Sequence, residues 1–251
     1  MKKSFLMLYA LLVCEIGFSQ VKSNEKLTYA ASYYMSGLMT QLAQVTLQTE
    51  MVKTSKKSFL HLNLEAATFS KWDTFFKIRD VYESYVDPVT LKPSLYKRNI
   101  YEGGYTKTEK YIFNPDGKSI NSTTRHKNGN ETKNSVKIGS STLDGVSIIY
   151  KLRTIDFSKF KPGQITSFIL VFDEKKYPVY IKYMGVETVQ AGNLGKKQCY
   201  KISISAKTNK LKGVDKNLIW LTSDSKRIPV LVRFSIPVGI GQLSLTNASG
   251  I

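Results

Sequence analysis

The groups in this chain able to move protons, hold metals or attack a carbonyl are few, and their spacing argues against all three uses. The two histidines, His61 and His126, are far apart in sequence. His61 lies in Phe59-Leu60-His61-Leu62-Asn63-Leu64, where alternation puts it on the polar face of a strand. It reads as a satisfied strand residue rather than a general base or zinc ligand. Cys199 stands in the strand-like run Gln198-Cys199-Tyr200-Lys201-Ile202 with no histidine nearby in sequence to lower its pKa, so it reads as a buried structural thiol. Ser23-Asn24-Glu25-Lys26 and Ser94-Leu95-Tyr96-Lys97 fit Ser-x-x-Lys but lack partner motifs, and there is no Gly-x-Ser-x-Gly elbow. Asp73, Asp80 and Asp87 recur by sevens and would align on one continuous helix as a shared cation site. Pro88 and the change of period after Arg79 break such a helix, leaving Asp73 on a polar helix face and Asp87 as a turn residue. No catalytic, metal-ligating or cofactor-binding residue is assigned, no cofactor is expected, and ligand-binding residues are not legible.

The elements that would position any site are mostly strands. Residues 27–34, 42–52 and 58–67 alternate apolar, aromatic and Thr residues with the period of two of a half-buried strand. Residues 167–172, 177–183, 197–206, 218–222, 230–236 and 241–245 are short, closely spaced and joined by Gly, Asn, Asp and Pro, the pattern of an antiparallel meander or barrel. Pro178, Pro229 and Pro237 favour edge positions. Asn114-Pro115-Asp116-Gly117 and Lys127-Asn128-Gly129-Asn130 frame a strand, 118–125, polar on both faces, which belongs at an edge or beyond the core. Two helices are expected. Residues 69–79 space Phe69, Trp72, Phe75 and Phe76 by threes and fours behind a capping Ser70, and residues 144–153 begin at Asp144 and set Ile148, Ile149 and Leu152 on one side. The fold class is mainly β: a single curved antiparallel sheet forming a half-open or closed barrel, with one or two helices packed on or in it.

Compartment follows from the start of the chain. Lys2 and Lys3, an apolar run from Phe5 to Cys14, and Gly17-Phe18-Ser19 have the layout of a secretory signal. The run, about ten residues, is too short to span a bilayer, which takes roughly 20. Residues 1–19 are therefore read as a cleaved signal, and residues 20–251 as a single β-rich exported domain in the periplasm with no transmembrane span. The competing reading is a lipoprotein anchored through Cys14, which the branched Val13 disfavours. Loss of Cys14 leaves Cys199 alone, hence no internal disulfide, so stability rests on the core. Lys and Arg number 37 against 19 Asp and Glu, a net charge of +18. The excess is spread along the chain and includes Lys207 to Lys216. Export excludes nucleic acid as a partner and points to lipid headgroups, lipopolysaccharide phosphates or acidic glycans, or to no dedicated partner beyond a solvated surface. The 15 Tyr and 12 Phe residues serve a sheet core or line a cavity.

Several segments, in order, carry a family resemblance. They are Asp87-Pro88-Val89-Thr90-Leu91-Lys92-Pro93, Glu102-Gly103-Gly104-Tyr105, Asp144-Gly145-Val146-Ser147 with Arg153, Gly185-Val186-Glu187, and Leu218-Ile219-Trp220-Leu221-Thr222-Ser223-Asp224 with Arg227-Ile228-Pro229-Val230. Together they resemble the exported bacterial family called domain of unknown function 3108, and the signal ending Phe-Ser-Gln is similar to those of Bacteroidetes. The resemblance implies an envelope protein with a curved antiparallel sheet, similar in outline to half-barrel carriers of lipoproteins or lipids, and carries over no catalytic residues. In these segments Asp87 to Pro93 reads as a hairpin turn, Gly103-Gly104 as a strand bend, Trp220 as core, and Asp224 with Arg227 as a pair. Three functions follow: a non-enzymatic binding or carrier protein for an apolar or amphipathic envelope molecule, an assembly factor binding another envelope protein along a strand edge, or an enzyme acting on glycan. An apolar cavity favours the first, a packed interior with an exposed apolar rim the second, and a cleft with converging carboxylates the third.

Overall fold

Period-two alternation of the kind seen in Leu60, Leu62 and Leu64 makes each strand bury one face, and fifteen such strands pair side by side into one curved sheet. The computed structural model describes residues 21–35, 37–127, 129–206, 216–236 and 239–251, omitting the side chains of residues 35 and 236. The expected signal, Cys14, the lysine run 207–215, Asn128 and Pro237 lie outside these residues. The first meander comprises β1 (Lys26–Met35), β2 (Leu38–Lys53), β3 (Ser58–Thr68), β4 (Arg79–Val86), β5 (Pro93–Glu102), β6 (Tyr105–Phe113), β7 (Ser119–His126) and β8 (Thr132–Lys137). A crossing segment holds β9 (Thr142–Leu143) and α1 (Ser147–Leu152). The second meander comprises β10 (Ile165–Phe172), β11 (Lys175–Gln190), β12 (Lys196–Ala206), β13 (Leu218–Thr222), β14 (Pro229–Ile236) and β15 (Gly239–Ser249).

The first meander runs outward from β1 to β8, and the second returns inward from β10 to β15, which pairs antiparallel with β1. Every pairing is antiparallel except the short parallel contact of β9 with β10. The sheet curls without closing. Its two edges, β8 and β9, are joined by the few residues between Lys137 and Thr142, so the crossing segment lies at one end of the barrel, here called the base. The opposite end, the rim, carries the β1–β2, β5–β6, β10–β11 and β14–β15 hairpins and the β3–β4 loop.

The helix at 144–153 forms as Ser147–Leu152, with the Asp144 carboxylate accepting the Val146 and Ser147 N–H groups at 2.9 and 2.8 Å. The other expected helix does not form. Residues 70–72 make one 3-10 turn, Arg79 already belongs to β4, and Phe75 and Phe76 face water. The segment lies beyond the wall of the barrel, so an aromatic stripe there has no core to bury against. Strand 118–125 is not an edge: β8 covers β7, and Ser122 and Thr124 of β7 are buried. Nor do Pro178 and Pro229 mark edges. Pro178 sits in an interior strand opposite Ile169, with β11 paired on its other side to β12. Pro229 opens the interior strand β14. Gly103-Gly104 is the two-residue turn of the β5–β6 hairpin, both residues at positive φ, as a primed turn requires.

Candidate functional site

The helix sits inside the curl and divides the interior. On its rim side lies a half-enclosed pocket of about 250 Å³ whose walls are almost wholly hydrocarbon. Ile148, Ile149 and Leu152 of α1 form its floor, the three residues that the helical spacing grouped on one side. Leu64 of β3, Ile181 of β11 and Leu243 of β15 stand among the wall residues, so both meanders contribute. Close packing of buried Leu27, Ile202 and Trp220 beside this wall supports it. A pocket with so little polar lining favours an apolar occupant.

The helix is anchored by charge. Arg153, next after α1, forms a bidentate pair with Glu25 at 2.6 and 2.8 Å, and its Nε donates to the Lys226 carbonyl at 3.1 Å. Both side chains are at most 2% exposed, so the pair is fully desolvated and ties the helix to the start of β1. Ser23-Asn24-Glu25-Lys26 thus holds an acceptor for a buried arginine rather than a nucleophile. Burial raises the pKa of Tyr29 and Tyr150 beside this pair, and the Tyr29 hydroxyl donates to the Pro229 carbonyl at 2.8 Å.

Across the interior, the inner faces of β4 to β7 are polar near the rim. Arg98 of β5 lies within ion-pair distance of Glu109 of β6 at 3.0 Å, and Lys107 reaches the other Glu109 oxygen at 3.1 Å, although neither contact is aligned as a hydrogen bond. The tip of the β10–β11 hairpin docks onto this wall. Asp173 accepts from Arg98 and, at 2.8 Å, from Lys107, while Glu174 accepts from Ser122 at 2.6 Å and from Asn134 of the edge strand β8 at 2.8 Å. The Tyr111 hydroxyl accepts the Glu174 N–H at 3.0 Å. Asp173 and Glu174 both take positive φ, a turn normally filled by Asn or Gly, so these contacts hold a strained tip in place. Side chains here bridge a seam that the backbone ladder leaves open. Burial disfavours the Asp173 charge, but Lys107 and Arg98 outweigh it and hold the carboxyl down at about 2.

The remaining sequence candidates resolve as structure. His61 meets Glu83 at 3.0 Å and stacks on Tyr85, and His126 meets the Tyr105 hydroxyl at 3.2 Å. Cys199 is buried, and that burial raises its thiol pKa to about 11. Asp73 binds Arg79 and Thr68, Asp87 accepts the Val89 and Thr90 N–H groups in its turn, and Asp80 accepts the Tyr101 N–H. The three therefore serve separate loops, and among the described residues no acidic, His or Cys cluster is fit to hold a metal. Asp80 does converge with Glu102; burial, with the Glu102 charge added, pushes its carboxyl up to about 6. Neither carboxylate lines the pocket. Asp224 meets Arg227 through the backbone, accepting its N–H at 3.3 Å, whereas the Arg227 guanidinium reaches Asp156 at 3.4 Å, because the turn aims that side chain toward the crossing segment. Trp220 is core, its indole donating to Glu187.

The sequence signalled the helix floor but gave no way to find Glu25, Glu109 or Asp173, whose partners lie far off in the chain. Among the described residues no helix is long and apolar enough to cross a membrane. A β-barrel-like protein of domain of unknown function DUF1849 from Brucella abortus is similar in fold, with a TM-score of 0.59 at 9% identity, covering 90% of this chain and 97% of that one. A candidate exported protein with a YmcC-like fold from Bacteroides fragilis and a candidate lipoprotein from Parabacteroides distasonis each align at a TM-score of 0.37 and 9% identity. They cover 91% and 92% of this chain, and 96% and 97% of their own. No curated protein matches the chain in sequence. A model of one family does match, from residue 28 to residue 246, and the chain accordingly belongs to DUF3108, a family of proteins of unknown function.

Proposed function

We propose that this is an exported envelope protein that binds or carries an apolar or amphipathic molecule, with its hydrocarbon portion seated above α1. The observation that carries this reading is the apolar pocket, walled by both meanders and floored by Ile148, Ile149 and Leu152. The secretory layout of residues 1–19 supports export, with the domain from residue 20 onward working in the periplasm. The functional groups support no catalytic reading: the histidines, Cys199 and the aspartates are each engaged structurally. The edge strand β8 is polar and carries Lys133 and Lys137, which discourages strand addition by another protein.

Native mass spectrometry of the protein purified from its host tests the reading. A lipid-sized adduct on the processed chain is expected, and it should be lost in L243W, which fills the pocket. A bare chain, or an adduct that survives L243W with the fold intact, overturns it.

A further inference from the structure

Among the described residues the rim carries a contiguous cluster of large apolar side chains in water, whereas those exposed toward the base, Met51, Val89, Ile112, Ile165 and Val186, come from separate strands and loops. Leu38 and Met39 follow the β1–β2 turn, Phe75 and Phe76 occupy the β3–β4 loop, and Tyr101 and Tyr105 flank the β5–β6 turn, all at the rim. Phe75 is 80% exposed and Leu38 72%. The three loops touch. The Trp72 indole donates to the Gln41 carbonyl of β2 at 2.9 Å, and the Phe76 ring lies so close over Gly103 that a Cβ there would come within 2.5 Å of it. The β3–β4 loop is also braced from behind: Asp73 takes both guanidinium nitrogens of Arg79 and the Thr68 hydroxyl, and Ile78 bridges to Glu102. A braced loop that holds two phenylalanines in solvent has a different basis from a frayed one, since collapse onto the barrel wall would remove apolar area from water at no cost in covalent strain.

Charge at the patch is one-sided. Lys71 lies over the Trp72 ring at 5.7 Å and Lys77 over the Tyr101 ring at 5.9 Å, both exposed. The nearest carboxylates are turned inward, Asp73 to Arg79 and Glu102 to Asp80. Aromatic and aliphatic tips projecting from convex loops, interleaved with lysine ammonium groups, match the layered chemistry of an anionic bilayer surface, where rings enter the headgroup boundary and lysines meet phosphate. A protein partner would instead be met by a flatter, desolvated patch with charges at its margin. The chain's net charge of +18 adds long-range attraction to such a surface.

We infer that the rim formed by the β1–β2, β3–β4 and β5–β6 loops docks on anionic lipid bilayers, with Phe75 and Phe76 as the inserting residues and Lys71 and Lys77 as the headgroup contacts. The inference stands apart from the pocket, since a surface that docks on lipid does so whether or not the interior is filled.

Flotation of the processed protein with vesicles of equal parts phosphatidylcholine and phosphatidylglycerol tests it, with pure phosphatidylcholine vesicles alongside. Binding to the anionic vesicles only is expected, with a blue shift of tryptophan emission that W72F abolishes, because the other tryptophan, Trp220, is already buried. The double variant F75S/F76S should weaken partitioning about tenfold or more, the loss corresponding to part of the burial of two phenylalanine rings. V89S, an exposed apolar residue at the base, should leave it unchanged. No flotation of the native chain, equal loss in V89S, or full binding by F75S/F76S would each overturn the inference. So would capture at residue 75 of an envelope protein without vesicle binding. Phe75 is 80% exposed, and F75S alone should also weaken partitioning; a retained melting temperature in both variants separates lost docking from loss of the Phe76 contact with Gly103.

Discussion

Two halves of the same interior are built from opposite materials. Around α1 the wall is hydrocarbon and leaves a half-open pocket, whereas between β5, β6 and the β10–β11 tip it is a network of Arg98, Glu109, Lys107 and Asp173. The apolar half owes its stability to area removed from water and tolerates a change of contents. The charged half depends on every partner being present, because a buried ion left alone costs far more than the pair returns. In a chain whose one described cysteine is free, charge does the work of fixing which strands face each other across the seam. The same logic governs the Glu25–Arg153 pair that holds the pocket floor, so the apolar half is itself suspended from an ionic fastening.

Removing one partner of that fastening should have the largest effect. Glu25→Gln or Arg153→Met is expected to lower stability by about 3–5 kcal/mol in urea titration, while replacing both by apolar residues, E25M with R153L, should recover most of it. Equal losses in single and double variants would show that packing, not charge, holds the floor. At the seam Asp173→Asn should cost about 1 kcal/mol, less because its side chain is 38% exposed. Asp173 is depressed to about 2 from an ordinary 3.8, so its contribution is complete above pH 3.8 and disappears as pH falls toward 2. Amide protection factors in β10, corrected for the intrinsic pH dependence of exchange, should fall over that window more steeply in the native chain than in D173N, and equal slopes would assign the change to other carboxylates.

Asp80 has the reverse sign. Its carboxyl is raised to about 6, so the folded state favours the protonated form, and the Asp80 contribution to stability is complete below pH 3.8 and is lost as pH rises through 6. The decline should be on the order of 1 kcal/mol. Melting curves of D80N should lack that slope, and an unchanged slope would assign it elsewhere. Smallest of all, Leu243→Phe in the apolar half should alter stability by under about 1 kcal/mol, since the pocket admits the added carbons, as melting curves would show.

Much of the apolar half was legible in the sequence. Alternation exposed the strands, and Ile148, Ile149 and Leu152 declared a helix face that required a cover. The single curved sheet and its family followed from strand spacing and the ordered short segments. The failures are as instructive. Phe69, Trp72, Phe75 and Phe76 have helical spacing, yet spacing reports what a helix would bury only if something lies opposite, and at the rim nothing does. Ser122 and Thr124 read as solvent-facing because their partner, Glu174, is supplied by a distant hairpin. Polar residues facing inward are invisible to a hydrophobic pattern, so the charged seam could not be read until the topology brought its halves together.

The pairing of β1 with β15 sets Lys26 opposite Ser249 and Tyr33 opposite Gly241. Those ladder bonds cannot form until nearly the whole chain is available, however quickly each meander assembles from its local hairpins. During that interval β1 is an unpaired edge, bearing Leu27 and Tyr29 beside a floor not yet fastened by Arg153. Joining of the two meanders is therefore the step with the longest loop to close, and the first meander before that joining exposes the strand edge most open to aggregation and to capture by a holding chaperone.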